Sequence, residues 1–109
     1  MNLQLYMAQR LSAMVMAPLV LGHIAVMIYA IQGGLTTAEI LGRTQGSILW
    51  FLFYGSFVIA ASVHAAIGLR VIAQETLGLR GWSLSFIGWG FGIVTLMLGG
   101  RAVMAVTML

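Results

Sequence analysis

The chain has 109 residues, 61% of them hydrophobic and only 6% charged. A water-soluble domain carries about 25% charged residues, so this composition excludes a soluble fold and predicts an integral membrane protein. The net charge of +3 comes from five arginines against two glutamates, scattered singly rather than gathered into a basic patch, which argues against nucleic-acid binding. The absence of cysteine excludes a thiolate-held iron–sulfur cluster, a covalently attached c-type haem and disulfides within this chain.

Three stretches are long enough to cross a hydrocarbon core, which takes about 20 residues. The first, about 11–31, holds Pro18 and His23 and follows the segment MNLQLYMAQR. A cleaved signal peptide has a shorter apolar region that ends in a small-residue cleavage site, so a retained transmembrane helix is expected here. Residues 32–46 contain Gly33-Gly34, Thr36-Thr37, Glu39 and Arg43, and read as a polar loop with a short interfacial turn at 37–41. The second span, about 47–69, carries His64 and Gly68, and a short charged connection is expected at 70–81. The third span, about 82–106, has Arg101 toward its end. The expectation is one all-α membrane-anchor domain over 1–109, a bundle of three transmembrane helices.

Three spans put the two ends of the chain on opposite sides. Arg10, Arg70 and Arg80 then share one side and Arg43 and Arg101 the other. The positive-inside rule assigns the N-terminus to the cytoplasm. Small residues at Gly81, Ser85, Gly88, Gly92, Thr95 and Gly99 form a stripe along the third span. Such a stripe permits close helix contact in lipid, either within the chain or with another subunit.

His64 is the most informative residue. An ionisable side chain at membrane depth is costly and marks a functional site. A neutral imidazole projecting between helices is the usual axial ligand of a b-type haem. Gly68, one turn on, shares its helical face and leaves room for a flat macrocycle, and Ala60, Ala61 and Ala65 keep the surroundings small. The alternative is a packed, hydrogen-bonded core histidine.

The segment Ser62 to Glu75, with His64-x3-Gly68-x-Arg70-x4-Glu75, resembles the membrane-anchor (cytochrome b) subunits of the succinate dehydrogenase/fumarate reductase family. Those subunits carry His-x3-Gly with an acidic residue eleven positions after the histidine. Gln9-Arg10-Leu11-Ser12 resembles the family's His-Arg-x-Ser-Gly at the head of helix one. The departures are Gln9 for histidine, Ala13 for glycine, Glu75 for aspartate, and Thr76 where some anchors have tyrosine. The resemblance implies haem b, one or two per assembly, with His64 as an axial ligand of the iron and quinone as substrate. It also implies partner flavoprotein and iron–sulfur subunits on the cytoplasmic face of a bacterial inner membrane. A second membrane-anchor subunit, or a copy of this chain, is expected beside it.

The remaining site residues admit two readings each. Counting 1.5 Å per residue from Arg10 and from Arg70 puts His23 about 10 Å deeper than His64. That spacing suits a second haem, as in the di-haem branch of the family, or a polar packing residue bonded to a hydroxyl or a carbonyl. Arg10 and Arg70 serve haem propionates or a quinone carbonyl, or merely anchor the helices at the headgroups. Tyr6, Ser12 and Glu75 complete the expected quinone-binding set with Arg10, and Glu75 has ion pairing with Arg70 or Arg80 as its alternative. Two competing functions remain. A small cation exporter needs a carboxylate inside a span, and neither Glu39 nor Glu75 is placed there. A haem-free structural anchor is the other.

Overall fold

Three of the four described helices start where a side chain satisfies a free N–H group of the first turn. In the computed structural model, which describes residues 2–108, Asn2 caps α1 (Leu3–Gly33) by accepting the Leu5 N–H at 2.8 Å. Thr36 caps α2 (Thr37–Thr44) through the Glu39 N–H, and its hydroxyl donates to Glu39 Oε1 at 2.6 Å. Ser47 caps α3 (Ile48–Leu77) through the Trp50 N–H. Gly81, at φ +67°, leads into α4 (Trp82–Thr107) without a side-chain cap. The described residues are all-helical, and α1, α3 and α4 are each long and apolar enough to cross a membrane. The long axis of the molecule is 47 Å. That exceeds the roughly 30 Å hydrocarbon core, so the helix ends stand at headgroup level.

Two boundaries differ from the sequence expectation, both for the same reason. A helix inside a membrane protein does not stop where its apolar run stops. α1 begins at Leu3 and carries the polar Gln9 and Arg10 in its body. α3 continues through Arg70 and Glu75 to Leu77. It ends only at Gly78, whose left-handed φ of 68° lets its N–H turn back to the Gln74 carbonyl. The expected charged connection 70–81 is therefore mostly helix, with Gly78–Gly81 as the turn. The interfacial turn expected at 37–41 is the full helix α2. Pro18 removes one N–H from the ladder of α1, yet the helix runs unbroken across it.

α2 fastens the far end of the bundle. The last carbonyls of α4 have no partners within their own helix. Thr44 Oγ1 donates to the Val106 carbonyl at 2.6 Å, and the Gly46 N–H donates to the Thr107 carbonyl at 2.7 Å. Arg43 reaches back to the Gly34 carbonyl at 3.1 Å and lies 5.8 Å from the Tyr29 ring centroid, tying α2 to the end of α1.

α3 is the middle helix, packed against α1 on one side and α4 on the other. Water supplies no driving force between helices in lipid, so association depends on close fit. Gly88, Gly92 and Gly99 provide that fit against α3, facing Arg70, Ala66 and Val58 respectively. These three glycines of the small-residue stripe therefore pack within the chain. Large apolar residues face outward along all three spans, including Leu21, Ile48, Phe86 and Trp89, each at least 70% exposed. Such a surface is stable only in contact with lipid or another subunit.

Candidate functional site

The contact between α1 and α3 has a regular antiparallel register. A side chain on Gly68 would approach Gln9 Nε2, Ser12 meets His64, Gly22 lies against the Phe53 ring, and His23 packs against Tyr54 and Phe57. Gln9 and Ser12 share one face of α1, and His64 and Gly68 share one face of α3. The two polar faces meet.

At their centre, Ser12 is 8% exposed. Its Oγ donates to the Gln9 carbonyl at 3.0 Å and lies 3.4 Å from His64 Nδ1. Among the described residues, Gln9 Oε1 is the one buried side-chain nitrogen or oxygen without a hydrogen-bond partner. His64 Nε2 makes no hydrogen bond within the chain and is not such an atom, so it reaches the surface of the half-buried ring. The imidazole is thus held at one nitrogen by its own chain and presents the other outward.

A methyl group on Gly68 would lie 3.7 Å from Gln9 Nε2, an ordinary contact distance, with nothing else packed within 4 Å, so the Gln9 carboxamide is the neighbour of Gly68 across the two helices. Gln9 was visible in the sequence only as a departure from a motif. The signal that could have found it is the pairing of polar residues three apart on one span with a His/Gly pair four apart on another, since polar groups in a membrane seek each other.

His23 occupies a second level. Its ring stacks on Phe57 at 5.1 Å and meets Tyr54 edge-on at 6.3 Å. Of its expected alternatives, the hydroxyl or carbonyl partner is not found among the described residues; aromatic rings hold it instead. It lines a groove of 290 Å³ with Tyr54, Thr44 and Gly99. Eleven residues of α1 separate Ser12, level with His64, from His23, about 16 Å along the axis. The sequence estimate of 10 Å assumed that Arg10 and Arg70 lie level. Arg70, six residues beyond His64, is level with Tyr6, which is six residues before Ser12 and one turn outside Arg10.

The arginines also point to separate faces. Arg10 is two positions from Ser12, so it projects from the opposite side of α1, exposed, with its guanidinium 3.4 Å from the Tyr6 hydroxyl and 5.8 Å from the Tyr6 ring centroid. Arg70 packs on Gly88 of α4 and lines the larger groove of 490 Å³ with Leu5, Val63 and Trp89. Neither histidine lines that groove. Glu75 is exposed in the last turns of α3, and Glu39 is bonded to its own cap. The structure thus joins Ser12 to His64 and Tyr6 to Arg10, and leaves Arg70, His23 and Glu75 at separate places.

The family model for the succinate dehydrogenase/fumarate reductase transmembrane subunit matches residues 1–100. The chain belongs to that family. No curated protein and no solved structure matches it. Family membership and three long apolar helices together make it an integral membrane subunit of the succinate dehydrogenase/fumarate reductase type.

The residues of this transmembrane subunit can be tested against the group its family implies. Among the described residues, no three of His, Cys, Asp and Glu converge. A haem iron asks less of the protein, because the macrocycle supplies four nitrogens and the chain need supply only an axial donor. His64, fixed through Nδ1 and open at Nε2, meets that requirement.

Proposed function

We propose that this protein is a haem b-binding membrane anchor, which passes electrons between a partner iron–sulfur subunit and membrane quinone. The observation that carries the reading is the outward Nε2 of an otherwise tethered imidazole at membrane depth. A bound haem would supply one-electron storage between the cluster and the two-electron quinone couple. His64 holds the iron side. Haem-free structural anchoring is the competing reading: the Ser12 contact suits a packed histidine as well, and the unbonded Nε2 is what favours ligation.

Arg10 and Tyr6 form the quinone-facing pair in this reading. Their side chains are exposed near one end of α1, where a cationic donor and a phenol hydroxyl can hydrogen-bond a carbonyl oxygen. Arg70 stands at the same end of the bundle, on the groove between α3 and α4. Glu75, exposed nearby, is placed to exchange protons with the aqueous phase as quinone is reduced. With three arginines at this end against two at the other, the positive-inside rule favours it as the cytoplasmic end in this reading. Flavoprotein and iron–sulfur subunits dock there.

His64→Ala tests the reading. A reduced-minus-oxidised optical spectrum of the purified complex should show a b-type band in the wild type, and that band should be lost in the variant. A variant with undiminished haem content and an unchanged spectrum would remove His64 from the iron.

A further inference from the structure

The Ser12 hydroxyl has one proton and two neighbours. The Gln9 carbonyl lies at 3.0 Å and His64 Nδ1 at 3.4 Å. The carbonyl is the nearer and can only accept, so the proton goes to it, a back-bond that polar residues in helices commonly make. What Ser12 then presents to His64 is a lone pair. A hydrogen bond between them requires the proton on Nδ1, which fixes the tautomer and leaves the Nε2 lone pair free.

We propose that Ser12 is a positioning residue for His64. The chain His64 Nδ1–H to Ser12 Oγ–H to the Gln9 carbonyl orients the imidazole and raises the electron density that Nε2 offers an iron. This rests on the proposed ligation of haem by His64, and it gives Ser12 a role other than quinone binding, since its only proton is already donated. Four features support it. Ser12 is buried, so water does not compete for the contact. Hydrogen bonds in series strengthen one another in a low-dielectric interior. A histidine bound to a metal characteristically donates its other N–H to an oxygen acceptor, and loss of that acceptor changes metal affinity by about 10- to 100-fold. The acceptor is also rigid, because Ser12 Oγ is anchored to the backbone of its own helix.

The sign follows from the chemistry. An N–H donated to oxygen makes imidazole a stronger donor, which favours ferric over ferrous iron and lowers the reduction potential. Ser12→Ala removes the acceptor. A tenfold loss of the ferric preference corresponds to a rise of about 59 mV for a one-electron couple.

The experiment is a redox titration of the haem in the purified holo-complex, for wild type, Ser12→Ala, Ser12→Thr and His64→Ala, with haem content measured in parallel. The inference expects Ser12→Ala to keep its haem at a potential raised by about 59 mV. Ser12→Thr retains the hydroxyl and should titrate at the wild-type potential. A Ser12→Ala complex with full haem at the wild-type potential overturns the role of Ser12 while leaving His64 as ligand. If Ser12→Ala does not assemble, Ser12→Thr decides, and a threonine complex whose potential departs from wild type overturns the inference. Full haem in His64→Ala overturns the underlying reading instead.

Discussion

Gly99 tests the frame that holds the site. A methyl group added there would sit 2.6 Å from Val58 Cγ1 and 3.0 Å from Cγ2. Non-bonded carbons prefer about 3.5–4.0 Å, so the overlap is about 1 Å. Val58 cannot swing aside, because a β-branched side chain in a helix has one strongly preferred rotamer. α4 must therefore move off α3, and overpacking of this kind costs about 1–3 kcal/mol. Gly90 and Gly100 lie on the same helix with nothing within 4 Å of an added methyl, so their alanine variants are the controls and should be neutral or slightly stabilising. The assay is unfolding of the purified protein in mild detergent by titrated dodecyl sulfate, followed by circular dichroism. Gly99→Ala should lose stability, and Val58→Ala in the same chain should restore part of it. The non-additivity of that double-mutant cycle measures the contact directly. Gly99→Ala with the stability of Gly90→Ala, or strict additivity with Val58→Ala, would refute the packing of α4 on α3 at this point.

The site makes further predictions. Gly68→Ala should be tolerated, because its methyl would meet Gln9 Nε2 at 3.7 Å, whereas Gly68→Leu should displace Gln9 and lower haem content in the purified complex. His23→Ala should leave the His64-dependent haem signal intact, because His23 lies about 16 Å along the axis from it; a loss of that signal would contradict the register of α1 on α3. Arg10→Ala should slow quinone reduction without changing haem content, measured as quinol formation by the complex, and unaltered kinetics would reduce Arg10 to a headgroup anchor.

The three spans and the all-helical class were legible because an apolar run of membrane length has one reading in a nearly charge-free chain. Helix ends were not. Arg70 and Glu75 ended the apolar run of α3 without ending the helix, and the stop lay in the left-handed conformation of Gly78. The depth of His23 was misjudged because arginines are poor rulers. Their long side chains can reach one interface from backbone positions at different depths, and Arg10 and Arg70 stand about one turn apart here. The grouping of Gln9, Arg10, Leu11 and Ser12 as one motif also concealed that helical geometry sends Arg10 and Ser12 to opposite faces. Read by face rather than by order, Ser12 belongs with His64 and Arg10 with Tyr6.

The register bears on what must stand beside this chain. Hexacoordinate haem takes two axial donors at one depth. α1 and α3 bring one imidazole to the level of Ser12 and the other about 16 Å along the axis, so a haem held by either histidine would need its second axial donor from outside this chain. The His64 ring is half-buried with its Nε2 free of hydrogen bonds within the chain, and large apolar side chains are exposed along all three spans. On the proposed reading, a haem ligated by His64 would lie between this chain and a neighbouring membrane subunit, and Ser12 would set from the inner side the donor strength of the one ligand this chain would contribute.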